Sequence, residues 1–239
     1  MSQVLLVGAD TSRARAYATA IERSGLGPLH GLFYGSPQPA VPAKAREGQT
    51  VEGLWVPLMA QGVADIFRRN GWPISWVGGA ESINDPAVVA ALASSGAALA
   101  IFAGRGGEIV SRSVLSQGVP LLHMHPGRLP EQRGSTTIYY SLLQGQPCAV
   151  SALLLAPEID AGPLLASRTY PSIPSGVDVD VSFDCAIRAD TMIGVLDVFR
   201  RTGNLPAPIP ADPSAGQLYY VVHPLLKHLA LLALERKGR

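Results

Sequence analysis

Strand-length apolar runs alternate with segments of helical spacing along the first half of the chain. The strand patterns cover residues 4–7, 29–34, 73–77, 98–102 and 119–122. The segments with helical spacing cover residues 12–24, 59–70, 87–93 and 109–116. Because strands that alternate with helices form parallel βαβ units, this pattern predicts a doubly wound, mostly parallel α/β sheet of the Rossmann-like kind. Residues 35–50 are rich in Pro, Gly and Ala and predict a long loop.

The second half of the chain has a less regular pattern. Helical spacing covers residues 136–144, 179–201 and 225–236, and strand patterns cover 149–155, 163–169 and 217–222. We therefore expect a catalytic α/β domain over residues 1–176. Residues 177–239 should form a small helix and strand extension that packs on it as a cap.

Composition narrows the class of protein. The chain has 239 residues, of which 47% are hydrophobic and 15% charged, enough apolar material for one large buried core. A formal net charge of +1 without an extended basic block argues against a nucleic-acid partner. Two cysteines are too few for a disulfide framework, and there is no leader pattern and no membrane-length apolar run. We expect a cytoplasmic protein with no membrane partner, and its oligomeric state stays open.

The densest cluster of groups suited to catalysis begins at the end of the 119–122 strand pattern. His123 and His125 are two residues apart, so an extended backbone points both imidazoles to the same side. Asp160 follows after a helix and a strand, which can return the chain to the same edge. A carboxylate beside an imidazole fixes its tautomer and makes it a better general base. Two imidazoles and one carboxylate also allow the alternative of a metal-binding facial triad.

The same stretch resembles a known enzyme family. His125-Pro126, Arg133-Gly134, Gly145 and Asp160-Ala161-Gly162 match, in order and spacing, a pattern of the 10-formyltetrahydrofolate-dependent formyltransferases. That family includes enzymes that act on glycinamide ribonucleotide, methionyl-tRNA and sugar amines, together with formyltetrahydrofolate hydrolases. The resemblance is specific over residues 76–170, extends more weakly back to the first strand, and is only architectural beyond residue 177.

The resemblance implies roles for particular residues. His125 would be the base that assists attack of an amine on the formyl carbon, and Asp160 would orient it. The cosubstrate would be 10-formyltetrahydrofolate, and no metal would be needed. The pterin ring would lie against backbone from two loops, with these residues: Phe102, Ala103, Gly104, Ile109, Ala156, Pro157, Glu158 and Ile159.

His123 departs from the family pattern, which has asparagine at this position. Asparagine gives a neutral N–H donor to the oxyanion that forms, and a histidine N–H could replace it. Loss of an oxyanion donor costs on the order of 3 kcal/mol. Three interpretations therefore stay open: a formyltransferase with a substituted oxyanion donor, a relative with changed chemistry such as formyl folate hydrolysis, and an inactive folate-binding or regulatory relative.

The class of the amine acceptor is inferred from a comparison with the tRNA-specific members of the family. The tRNA-specific members of the family carry an additional C-terminal domain, whereas this sequence is shorter and not basic. We therefore expect the amine of a small molecule as the acceptor. No substrate signature in residues 35–50 or after residue 177 identifies that molecule.

Overall fold

A computed structural model describes residues 3–212 and 215–237 of the chain. Its helices are α1 (Ser12–Ser24), α2 (Val63–Arg69), α3 (Pro86–Ala93), α4 (Arg112–Leu115), α5 (Thr137–Leu143), α6 (Asp184–Thr202) and α7 (Pro224–Lys237), with a π-helical turn over Val179–Phe183. Its strands are β1 (Val4–Ala9), β2 (His30–Tyr34), β3 (Thr50–Val51), β4 (Leu54–Trp55), β5 (Ile74–Val77), β6 (Leu99–Ala103), β7 (Leu121–His125), β8 (Gln132–Gly134), β9 (Cys148–Leu154), β10 (Leu164–Tyr170) and β11 (Gln217–Tyr219).

Seven of the strands form one sheet in the order β10–β9–β7–β6–β1–β2–β5. The five strands from β7 to β5 are parallel, whereas β9 runs antiparallel to β7 and β10 runs antiparallel to β9. Val4, Leu6 and Val7 of the inner strand β1 are fully buried, because helices cover both faces of the sheet. The predicted doubly wound, mostly parallel α/β fold is confirmed.

Helix α6 belongs to the main core of the protein. It packs against α1 and β9, and Ile187 and Met192 share one apolar cluster with Val4 and Leu6 of β1. Residues after 177 therefore contribute buried side chains to the sheet's larger core. The division into regions 1–176 and 177–239 stays a prediction.

Two predicted helices are shorter than their sequence patterns, and hydrogen bonds explain both differences. Helix α2 begins at Val63, because the Met59 N–H donates to Glu47 Oε2 (3.0 Å) and the Met59 carbonyl accepts from Arg15. Helix α4 begins at Arg112, because the Asn84 side chain binds the Ile109 carbonyl (2.8 Å) and the Ser111 N–H (2.8 Å). In each case the bonds hold backbone outside the helix.

The predicted loop at 35–50 is followed by a small hairpin and is anchored by a buried ion pair. Arg15 Nε donates to Asp10 Oδ1 at 2.7 Å, and its other nitrogens donate to the carbonyls of Met59, Gln38 and Pro39. Asp10 also accepts from the Gln38 N–H at 2.9 Å. This pair fixes the loop to the start of α1.

Strands β8 and β11 form a parallel pair that the sequence pattern did not predict. Each has three residues, too few to show an alternation of apolar and polar positions. The pairing requires glycine at position 134, where φ is +95° and a Cβ atom would lie 2.1 Å from the Tyr219 carbonyl oxygen. It brings the C-terminal segment over the loop that follows β7.

Among the described residues, no helix combines the length and the apolar character needed to cross a membrane.

Candidate active site

Strand β7 carries His123 and His125 to the carboxyl end of the parallel strands. Ligands collect at this edge in open α/β sheets. The turn after β7 is fixed by Ser151 of the neighbouring strand β9. Its Oγ accepts from the Leu129 N–H (3.0 Å) and donates to the Gly127 carbonyl (2.7 Å).

The imidazole of His125 is held on both of its nitrogens. Nδ1 lies 3.3 Å from Asp160 Oδ2, and Nε2 lies 2.6 Å from the carbonyl oxygen of Gln132. Because a carbonyl oxygen can only accept, Nε2 is the donor in the second contact. The residue is only 1% exposed. Glycine at 127 is required for this enclosure, since a Cβ there would lie 2.6 Å from Nε2.

Asp160 is the predicted carboxylate, and the fold does return it to His125. Its φ of +53° places it in the left-handed region, where Asp is tolerated better than most residues. Oδ2 also accepts from the Gly134 N–H at 2.8 Å. Burial raises the pKa of Asp160, but the hydrogen bond and charge of His125 together with the Gly134 N–H outweigh burial and lower the pKa below its usual value.

His123 has different surroundings, although it lies on the same face of β7. Its ring centroid is 6.1 Å from that of Phe102. Its Nδ1 is buried and has no hydrogen-bond partner among the residues that the structure describes. Burial, followed by the positive charges of Arg188 and Arg13, holds the pKa of His123 well below its usual value, so the ring is neutral at pH 7.

A cavity of about 750 Å³ opens beside these residues. His123, His125 and Asp160 lie on its wall together with three of the residues predicted to bind the pterin ring: Phe102, Ile109 and Ile159. Ile109 and Ile159 are 66% and 51% exposed, so both present apolar surface to a ligand. The other predicted pocket residues do not line the cavity: Ala103, Gly104, Ala156, Pro157 and Glu158. Of these, Ala103 and Gly104 are buried behind its surface.

Charged residues on the cavity wall were not predicted from the sequence. They are Arg13, Arg105, Glu108, Asp180, Asp184, Arg188 and Lys227. Arg188 Nε binds Asp184 (2.9 Å), and Lys227 Nζ binds Asp180 (2.7 Å). The position of Arg13, in the first turn after β1, was a usable signal because the site lies at that end of the strands. Arg188 gave no signal within its long helical pattern.

The loop after β6 is held by one carboxylate. Glu108 accepts from Ser82 Oγ, from the Ile83 N–H and from the Arg105 N–H, each at 2.9 Å, and from the Tyr34 hydroxyl. Burial and this hydrogen bond raise the pKa of Tyr34, so the phenol stays a donor. These bonds hold the loop that leads to Ile109, one of the predicted pterin contacts on this side.

The prediction that this side of the cavity binds a pterin ring has a direct test: Glu108→Ala is then expected to raise the KM for a formyl folate about tenfold, a loss of roughly 1.4 kcal/mol of binding. The reason is that four donors lose their acceptor and the loop loosens. Steady-state kinetics at varied folate and at varied acceptor concentrations measure the effect. The KM for the acceptor should stay the same, and an equal rise in both constants would contradict a local role in folate binding.

The donor atoms of His123, His125 and Asp160 lie within 4.8 Å of one another. These atoms are close enough together to bind one metal ion, so the distances allow the facial-triad alternative. Arg13 and Arg188 place positive charge beside His123, which opposes binding of a divalent cation. Their charge therefore favours the metal-free interpretation, and metal analysis of the purified protein tests it.

Sequence comparison relates the chain to formyltransferases. The methionyl-tRNA formyltransferase of Roseiflexus sp. (strain RS-1) is 33% identical over 133 residues, and the match covers 54% of this chain and 40% of the relative. That of Chloroflexus aurantiacus is 34% identical over 133 residues, with 54% and 42% covered. The match thus spans about two fifths of the length of these curated relatives. No protein-family model matches the chain.

Comparison of structures identifies the class of fold. A sugar N-formyltransferase from a Shewanella species superposes with a TM-score of 0.59 and 13% identity, over 97% of this chain and 87% of that one. The phosphoribosylglycinamide formyltransferase of Streptococcus pneumoniae gives 0.59 and 16%, over 85% and 100%. The protein has the formyltransferase fold. The sequence matches to formyltransferases cover about half of the chain and agree with this fold.

Proposed function

We propose that the protein transfers a formyl group from 10-formyltetrahydrofolate to the amine of a small molecule, with His123, His125 and Asp160 as its catalytic cluster. The observation that carries this proposal is the position of the cluster. All three residues lie on one cavity wall at the carboxyl edge of the sheet, within a formyltransferase fold. Apolar surface from Phe102, Ile109 and Ile159 lies on the same cavity and suits a pterin ring.

The charge of the cavity wall suggests the class of acceptor. Arg188 and Lys227 are each paired with a carboxylate, whereas Arg13 has no ion pair in the part of the chain that the structure describes. The Arg13 Nε is buried without a hydrogen-bond partner. An unpaired guanidinium binds carboxylate or phosphate strongly. We therefore extend the proposal to an amine that also carries an anionic group.

The test is release of tetrahydrofolate from 10-formyltetrahydrofolate, with and without a panel of amines. The panel pairs each neutral amine with an anionic counterpart, such as an amino sugar with its phosphate. Release that depends on an anionic amine supports the proposal. Release without any amine would indicate the hydrolase, and binding of the folate without turnover would indicate the inactive relative.

Arg13→Gln is expected to raise the KM for the anionic acceptor about tenfold or more, because a charge-assisted hydrogen bond contributes roughly 1.5–3 kcal/mol. The KM for the folate should not change. Exposed Arg112 on α4 supplies the matched control, Arg112→Gln, which should leave both constants unchanged. A KM for the neutral counterpart that rises equally would contradict recognition of the anion.

A further inference from the structure

We infer that His123, and not His125, accepts the proton of the attacking amine. This inference rests on the formyl transfer proposed above. It reverses the roles that the family resemblance predicts, in which His125 is the base and residue 123 only binds the oxyanion. The reason lies in what surrounds the two imidazoles of β7.

His125 has no nitrogen free to meet a substrate. Its Nε2–H is bound to the Gln132 carbonyl at 2.6 Å, and its Nδ1 faces Asp160 Oδ2 at 3.3 Å. The ring is enclosed by the turn at Gly127. A proton transfer to His125 would first require a break in one of these contacts. The contacts instead suggest that His125 and Asp160 position the loop after β7. His125 binds the Gln132 carbonyl, and Asp160 binds the Gly134 N–H in the same loop.

His123 has what a proton acceptor needs. It lies on the cavity wall and is only partly buried, and its Nδ1, although buried, has no hydrogen-bond partner in the described ranges. Its charged neighbours come from every side: Arg13 on α1, Arg188 on α6, His125 on β7 and Asp160 in the loop after β9. Together with burial, the first three keep its imidazole neutral, so a ring nitrogen carries a lone pair at neutral pH.

His123 can carry the proton that the reaction must move from the amine nitrogen to N10 of the folate. The amine nitrogen forms a bond to the formyl carbon, and the carbonyl oxygen becomes an oxyanion. His123 takes one proton from the amine nitrogen. The bond from the formyl carbon to N10 of the folate then breaks, and His123 returns the proton to N10. The oxyanion's negative charge raises the proton affinity of His123 during the step that needs it and so acts against the opposite effect of Arg13 and Arg188.

Nitrogen-15 NMR of the histidine rings tests the starting state without any substrate. We expect His123 to keep one protonated and one unprotonated nitrogen from pH 6 to pH 8. We expect the Nε2–H of His125 to exchange slowly, because it is enclosed. A His123 ring that is doubly protonated at pH 7 would overturn the inference, since it could not accept a proton.

Chemical rescue tests the role in turnover. His123→Ala should lower kcat about 100-fold or more, and added imidazole should restore at least a tenth of the lost rate by entering the open cavity. His125→Ala should also be slow but should not respond to imidazole. Exposed His228 gives the control, His228→Ala, which should match the wild type.

Two failures can be told apart in this experiment. A wild-type protein that transfers no formyl group to any amine refutes the proposed function. An active wild type in which His123→Ala retains full rate, or in which imidazole rescues His125→Ala alone, refutes the inference and leaves the function standing. If His123→Ala does not fold, His123→Asn replaces it, and this variant should be slow because an amide cannot take up the proton.

Discussion

Asp160→Asn is expected to lower kcat for formyl transfer by about 10²- to 10⁴-fold, whichever imidazole accepts the proton. The carboxylate faces His125 Nδ1 at 3.3 Å and accepts from the Gly134 N–H at 2.8 Å. An amide of the same shape keeps the left-handed backbone but removes the negative charge. His125 then loses its charged partner, and the loop that shapes the reaction centre loses a strong acceptor.

Stopped-flow measurement of a single turnover checks this expectation, with circular dichroism to confirm folding. Asp197→Asn is the control, because Asp197 is a half-exposed carboxylate on α6 that is paired with Arg201 on the same helix. A loss below tenfold in Asp160→Asn would show that turnover does not depend on the contact between Asp160 and His125.

The pH dependence of stability gives the Asp160 prediction a second measurement. The pKa of Asp160 is lowered in the folded protein, so its charge stabilises the fold fully above the unfolded value of about 3.9. The contribution disappears as pH falls through the folded pKa below that value. The stability difference between wild type and Asp160→Asn should therefore be constant from pH 5 to 8 and shrink in stronger acid.

The α/β class of the fold and the grouping of His123 with His125 could be predicted because both depend on local spacing. Strand alternation puts the two rings on one face, and β7 does persist to His125. The place of Arg188 on the cavity wall could not be predicted, because it depends on which side of α6 meets the cavity. The parallel pair of β8 and β11 was equally hidden, since Gln132–Gly134 becomes a strand only when the distant segment Gln217–Tyr219 lies beside it.

The enclosure of His125 shows a different limit of sequence reasoning. The family resemblance supplies a residue, a partner and a role, but it does not include the contact between Nε2 and the Gln132 carbonyl. That contact depends on the backbone path from Gly127 to Gln132, where no side chain signals it. A role taken from a motif therefore needs the geometry of both ring nitrogens before it can be assigned.

Asp10→Ala is expected to lower the free energy of unfolding by about 3–5 kcal/mol, because it leaves a buried charge without its partner. The Arg15 and Asp10 side chains are only 5% and 0% exposed, and Nε and Oδ1 are 2.7 Å apart. Removal of the carboxylate also leaves the Gln38 N–H without its acceptor. Urea unfolding followed by circular dichroism gives the free energy. Such a loss is a large part of the roughly 5–15 kcal/mol that stabilise a typical domain.

Two further variants distinguish the effect of breaking a buried ion pair from the effect of removing any carboxylate. Asp65→Ala removes an exposed carboxylate that is paired with Arg68, and exposed pairs contribute only about 0–1 kcal/mol. The double variant Asp10→Ala/Arg15→Met should recover part of the loss, since no unpaired charge is then buried. Recovery should be incomplete, because the carbonyls of Met59, Gln38 and Pro39 lose their donor. If Asp10→Ala costs no more than Asp65→Ala, the pair does not anchor the 35–50 loop, and the hairpin after it must hold that loop in place.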